Sequence, residues 1–168
     1  MLDDKPLPPA RKPPGPVVIW NLVRRCNLTC KHCYSISADK DFPGELSTSE
    51  IYTVMDDLRG FHVPVLILSG GEPLLRPDIY DISKRAKAMG FYVGLSSNGT
   101  LINNDNIKQI AEVGYDYVGI SIDGIKQTHD TFRRREGAFD EAMNGIHLCK
   151  QHGIKAGMRF TLTRDNAH

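Results

Sequence analysis

A chain of 168 residues is long enough for one domain with a buried core, and its 21 Lys plus Arg against 20 Asp plus Glu leave a formal net charge of +1. That balance gives no electrostatic case for binding nucleic acid or an anionic membrane, and no apolar run reaches the ~20 residues that span a bilayer. With no charged-then-apolar leader, the chain is expected to be cytoplasmic, and any partner has to be recognised at a local site.

The first 16 residues, MLDDKPLPPARKPPGP, read as a flexible proline-rich arm, because repeated prolines remove amide donors and exclude both helix and central strand. Residues 17–168 read as the core. A strand is expected at 17–23 (VVIWNLV), then a helix at 48–60, opened by the capping box Ser47 with Glu50 and ended by Gly60. A second strand follows at 63–69. Pro77 suits the first turn of the next helix, whose Ile79, Ile82, Ala86 and Met89 recur at helical spacing before Gly90. A strand at 91–97, a helix at 104–113 stopped by Gly114, and a strand at 115–122 come next. The last pair is a helix at 136–152, with Phe139, Ala142, Met143, Ile146 and Cys149 on one stripe, and a strand at 155–162.

This alternation predicts an α/β fold of parallel strands with outer helices. Runs such as VLILS suit a barrel or a doubly wound sheet, and both place their chemistry at the carboxyl ends of the strands. The residues rich in chemistry fall at those ends: Cys26 to Cys33, Gly70-Gly71-Glu72-Pro73, Asn98-Gly99-Thr100, and Ser121 with Asp123-Gly124. After the fifth strand only Thr163 to His168 remain, so the chain is expected to be the front portion of a larger protein, cut after strand 5.

Residues 26–34 read CNLTCKHCY, with three of the four cysteines inside eight positions. Such clustering does not resemble a secreted disulfide framework, and soft thiolates at this spacing point to zinc or an iron–sulfur cluster. Structural zinc takes four ligands. Here CxxxCxxC supplies three, with His32 a poorly placed fourth. A cubane cluster held by three cysteines leaves one iron free, and a small molecule with an amine and a carboxylate can chelate it.

CNLTCKHCY followed by GGEP resembles the radical S-adenosylmethionine (SAM) superfamily, whose signature is CxxxCxΦC with an aromatic before the last cysteine and a later GGEP. The resemblance spans about residues 17–163 and implies a partial (β/α)6 TIM-like barrel. It implies that Cys26, Cys30 and Cys33 hold a [4Fe–4S] cluster, with His32 in the aromatic slot. It further implies that one electron from the cluster splits chelated SAM into methionine and a 5′-deoxyadenosyl radical, which takes a hydrogen from substrate. An electron donor such as flavodoxin or ferredoxin is implied as a partner, and oxygen sensitivity is expected.

The other loops carry weaker signals, each with a plain alternative. Gly70-Gly71 alone is more often a turn; beside the cysteine loop, the family likeness gives Gly70, Gly71, Glu72 and Pro73 the methionine-amine site, with the glycines letting backbone approach a ligand. Asn98-Gly99 is also a strong turn signal. By resemblance Asn98 faces SAM, and Ser121 and Asp123 form the SxDG segment that meets the ribose or the methionine carboxylate. The run Arg133-Arg134-Arg135 reads as solvated charge, except that Arg133 stands where family members place an arginine for the methionine carboxylate. Tyr34 is expected near the adenine. Arg159 and Thr161 alternate up the fifth strand and are expected to line the site. Cys149, on an apolar stripe, reads as a buried structural thiol. His62, His129, His147 and His152 are assigned no chemistry.

The wider sequence, RKPPGPVVIWNLVRRCNLTCKHCY with DKDFPGELSTSE, LILSGGEPLLRPDI and GLSSNGTLI, is similar to the radical SAM family of haem d1 biosynthesis. That likeness implies a tetrapyrrole substrate, a didecarboxysirohaem whose propionates are lost as oxo groups replace them. Arg24, Arg25 or the 133–135 run would suit its carboxylates. Another tetrapyrrole enzyme of alternative haem synthesis, a peptide-modifying maturase, and a non-enzymatic zinc module are the other readings.

Overall fold

The computed structural model describes residues 15–167; the proline-rich arm lies, up to Pro14, outside the described residues. Five strands, β1 (Val17–Val23), β2 (Val65–Gly70), β3 (Tyr92–Ser97), β4 (Tyr117–Ser121) and β5 (Ala156–Arg159), form one open parallel sheet. Their order in space is their order in the chain. A doubly wound sheet reverses direction at a switch point, whereas strictly sequential order is the wall of a barrel, so the barrel alternative holds.

The helices are α1 (Thr48–Gly60), α2 (Ile79–Ala88), α3 (Ile107–Val113), α4 (Gln127–Arg133) and α5 (Ala138–Gln151), with a 3₁₀ turn at Pro73–Leu75. Alternate strand residues Leu66, Leu68, Val93, Leu95, Val118 and Ile120 meet Ile51, Met55, Ile82 and Ile110 in one buried layer between sheet and helices. Each side chain so buried contributes about 1.5–3 kcal/mol. The opposite, inward positions run Ser69, Ser96, Gly119 and Ser121 near the mouth, small and polar where the outer face is apolar. That difference opens the barrel interior at the carboxyl ends of the strands.

Local chemistry explains which elements match expectation. The α1 bounds are as predicted because the capping box forms: Ser47 Oγ accepts from Glu50 N–H, and Glu50 accepts from Ser47 N–H at 2.8 Å. Ser47→Ala should lower stability by about 1 kcal/mol, read as a drop in the thermal midpoint. Helix α3 starts later than the predicted 104 because Asn103 Oδ1 accepts from the N–H groups of Asp105 and Asn106, an Asx turn that competes with the first helical turn. Helix α4 is a correction: residues 127–133 carry no apolar period and are expected as loop, yet they form a helix. Its buried residues are His129, Phe132 and Arg133, so tertiary contacts hold it. Strand β5 is shorter than the predicted 155–162. No helix among the described residues is long and apolar enough to cross a membrane.

Candidate functional site

The cysteine loop leaves β1 and is pinned at both sides. Cys26 N–H donates to Ala38 O at 3.1 Å, and Lys31 N–H donates to Phe132 O on α4 at 2.8 Å. The His32 ring packs edge-on against Phe132, 5.4 Å between centroids. The loop is thus set between the end of β1 and a helix that follows β4.

All four cysteines are free thiols, and each of the three loop sulfurs has a polar neighbour. Leu28 N–H donates to Cys26 Sγ at 3.4 Å and Asn98 Nδ2 lies 3.8 Å from it. Arg133 Nη1 donates to Cys30 Sγ at 3.5 Å, and Ser35 Oγ is 3.3 Å from Cys33 Sγ. Donors aimed at sulfur favour thiolate, the form that ligates iron, and tune a cluster once it is held. Burial pushes the Cys26 thiol up to about 11 against the Leu28 bond. Burial also raises Cys30, opposed by the Arg133 guanidinium. At Cys33 burial is outweighed by hydrogen bonds with Ser35 and Ser37, which bring the thiol down to about 7.

Among the described residues, no three His, Cys, Asp or Glu side chains converge tightly enough to hold a single ion. One zinc needs every ligand about 2.0–2.3 Å from one point. In a cubane each thiolate meets its own iron, so three donors spread round a loop fit it. The residues present therefore suit an iron–sulfur cluster.

The glycines of the GGEP loop are required by a neighbour within the chain. A β-carbon at Gly70 would stand 2.3 Å from Val23 O, and one at Gly71 would stand 2.4 Å from Arg25 O. The loop lies flat against the exit of β1, with Gly71 N–H on Val23 O at 2.6 Å and Glu72 N–H on Arg25 O at 2.9 Å. Glu72 is fully buried. Its carboxylate accepts from Leu74 N–H at 3.1 Å, from Asn98 N–H at 2.8 Å, and from Ser97 Oγ at 2.9 and 3.1 Å. It braces the β2 loop to the β3 loop. Burial pushes it up to about 7 despite those N–H bonds. Asn98 continues the brace: Nδ2 donates to Asn27 Oδ1 at 2.9 Å, and Oδ1 accepts from Thr100 N–H at 2.9 Å.

On the other side Asp123 is buried against Arg133, with Asp123 Oδ2 2.6 Å from Arg133 Nη2 and 3.5 Å from His32 Nε2. The Arg133 contact is a charge contact, and neither Asp123 side-chain oxygen has an aligned hydrogen-bond donor. Asp123 N–H donates to His129 Nδ1 at 3.1 Å, so this fully buried imidazole carries its proton on Nε2, and burial lowers its pKa. Arg133 is therefore no solvated charge; it touches both Cys30 and Asp123. Arg134 caps α4 and is exposed, and Arg135 pairs with Glu141.

A cavity of about 340 Å³ opens at the mouth. Cys30, Cys33, Tyr34, Gly70, Asn98, Ser121, Arg133, Arg159 and Thr161 line it, as do His32, Ser69, Ser96 and Ser97. Cys26, Gly71, Glu72, Pro73 and Asp123 stand behind that lining. Tyr34 sits at the rim, 77% exposed, its hydroxyl donating to Asn21 Oδ1 at 3.3 Å. A larger cavity of about 410 Å³ lies between β1, α1 and the 42–46 loop but contains none of the cysteines. Cys149 is buried on α5, as expected. Sequence reasoning missed His129, Ser97 and Asn27, which act on neighbours distant in the chain and leave no periodic trace.

The Radical SAM superfamily model matches residues 20–166. Over 163 residues the chain is 55% identical to the pre-heme d1 synthase of Dinoroseobacter shibae, covering 96% of this chain and 40% of that protein. It is 48% identical over 151 residues to the Fe-coproporphyrin III synthase of Methanosarcina barkeri, covering 90% and 38%. The chain thus spans about two fifths of the length of these curated relatives. Streptococcus suis SuiB superposes with a TM-score of 0.74 at 15% identity, over 87% of this chain and 33% of that one, a likeness of fold. With the cysteine loop, the GGEP loop and the sequential sheet in place, the chain belongs to the radical SAM superfamily.

Proposed function

We propose that Cys26, Cys30 and Cys33 hold a [4Fe–4S] cluster beside bound SAM, and that the whole protein acts on propionate side chains of a didecarboxysirohaem in haem d1 biosynthesis. The observation that carries the first part is three free thiols on one loop, each with a polar group against its sulfur, two of them lining the cavity and Cys26 buried behind it. The two relatives at 55% and 48% identity, both named for steps of haem or porphyrin synthesis, support the second.

Held by Cys26, Cys30 and Cys33, a cluster would supply one-electron reduction for SAM cleavage, with a flavodoxin or ferredoxin as the expected donor. The chain's own residues do the rest. Gly70, Asn98 and Ser121 offer polar groups to the amino acid and ribose parts of SAM, and Tyr34 offers a ring at the rim for its base. Glu72, Pro73 and Gly71 hold that wall in place from behind. Asp123 fixes Arg133 beside Cys30, so the guanidinium presents a positive edge to the cavity without an unbalanced buried charge.

The test is anaerobic reconstitution with iron and sulfide analysis, then incubation with reductant and SAM, with and without didecarboxysirohaem. Binding of about four irons per chain is expected for a cubane, with 5′-deoxyadenosine formed faster in the presence of the tetrapyrrole. Equal rates with and without it remove the haem d1 assignment and leave the cluster assignment standing.

A further inference from the structure

Arg159 is the feature of the cavity that the site's assembly leaves unexplained. It leaves β5 opposite Ser121, crosses the inner face of β4 and donates through Nη2 to Ser96 Oγ on β3. Room for that crossing comes from a missing side chain: a β-carbon at Gly119 would lie 2.9 Å from Arg159 Nε. Gly157, two residues earlier on β5, leaves room for Tyr117 in the same way, its β-carbon position being 2.5 Å from the Tyr117 hydroxyl. The inner face of β4 and β5 is thus arranged to lay one guanidinium across the barrel interior.

No carboxylate among the described residues is in contact with its charge, the buried Glu72 acting on it only at a distance. No carboxylate among the residues lining the cavity answers it, and among the described residues Arg159 makes no ion pair. Nε is buried with no hydrogen-bond partner, and burial lowers the pKa of the group. The guanidinium is half-buried and bonded only to a neutral hydroxyl, an arrangement that an anion meeting it would stabilise. Arg133, the other guanidinium in the cavity, differs on each count: it is neutralised by Asp123 and committed to Cys30 on the cysteine side. A planar guanidinium with free donors suits a carboxylate above other anions of small organic molecules, because the fork matches both oxygens.

We propose that Arg159 is a substrate-anchoring residue that binds a carboxylate of the substrate across the cavity from the cysteine loop. This rests on the tetrapyrrole reading above and deepens it by naming the group that is held. Anchoring a propionate at β5 leaves the rest of the substrate to extend over the open mouth toward the cysteines, which fixes which part of the molecule faces the radical.

The probes are coproporphyrin III, which carries propionates, and its tetramethyl ester, titrated anaerobically by fluorescence quenching into reconstituted wild type, Arg159→Gln and Arg159→Lys. Wild type should prefer the free acid over the ester by roughly 10- to 100-fold, the worth of a charge-assisted hydrogen bond. Arg159→Gln should lose that preference, and Arg159→Lys should keep part of it. SAM affinity, measured by equilibrium dialysis, should be unchanged in both variants. If Arg159→Gln does not fold, as judged by circular dichroism, the Lys variant decides, and an undiminished acid preference in it overturns the proposal. An Arg159→Gln chain that still prefers the acid overturns the anchor alone. A fall in SAM affinity with the porphyrin preference intact overturns it too, assigning Arg159 to the SAM carboxylate. Failure of the wild type to bind either porphyrin overturns the tetrapyrrole reading and the anchor together.

Discussion

Single replacements Cys26→Ala, Cys30→Ala and Cys33→Ala should each abolish 5′-deoxyadenosine formation to background and leave the reconstituted chain well short of the ~4 irons of a cubane. The three positions are equal in ligand count but not in surroundings. Cys26 is buried, with its sulfur between Leu28 N–H and Asn98 Nδ2, so its loss also opens a gap at the base of the loop. Cys33, the thiol brought down to about 7, is the readiest thiolate at neutral pH and should be the first to take iron. Its alanine variant should therefore also slow reconstitution, read from the growth of visible absorption. Cys149→Ala is the control: the thiol is buried on α5, and iron binding should survive. A Cys30→Ala chain that still binds about four irons and cleaves SAM would remove the cluster assignment.

The sequence showed these three cysteines because they are local: eight positions, one loop, one spacing. Helix α1 was equally legible, since Ser47 and Glu50 lie within one turn and settle its start between themselves. What the sequence concealed depends on distant contacts. Helix α4 has no apolar period; it exists where Phe132 O meets Lys31 N–H and Arg133 meets Asp123. The Gly70-Gly71 pair announced a close approach but not its neighbour, and the neighbour is the β1 exit, 47 residues earlier at Val23 and Gly70. Arg133 and Arg159 were both expected at the site, without their own neighbours being legible. Only the fold shows that one is neutralised by Asp123 and the other is laid over Gly119 toward Ser96 without a carboxylate in contact.

Glu72 should be the position where a near-isosteric change does most damage, because its two oxygens each face a backbone N–H, Leu74 at 3.1 Å and Asn98 at 2.8 Å. A carboxylate accepts from both. A protonated carboxyl accepts from both as well, and can turn its own O–H toward Ser97 Oγ. Glutamine cannot, since its NH2 must face one backbone donor whichever way it is flipped, leaving a buried N–H unpaired at about 1–3 kcal/mol. Glu72→Leu strands both amides and should cost several kcal/mol, a large share of the 5–15 kcal/mol that holds a domain together. The pH dependence follows from burial, which raises Glu72 from 4.5 to about 7. A raised folded-state pKa means the group's contribution is fully present below 4.5 and is lost as pH rises through 7, a difference of roughly 3 kcal/mol. Glutamine does not titrate, so the penalty of Glu72→Gln should be greatest near pH 5 and shrink by about that amount near pH 8. Paired urea unfolding curves at the two pH values read it directly, and shared groups such as Cys33 cancel in the difference. A penalty that grows with pH would mean that the two N–H bonds favour the ionised carboxylate more than burial disfavours it.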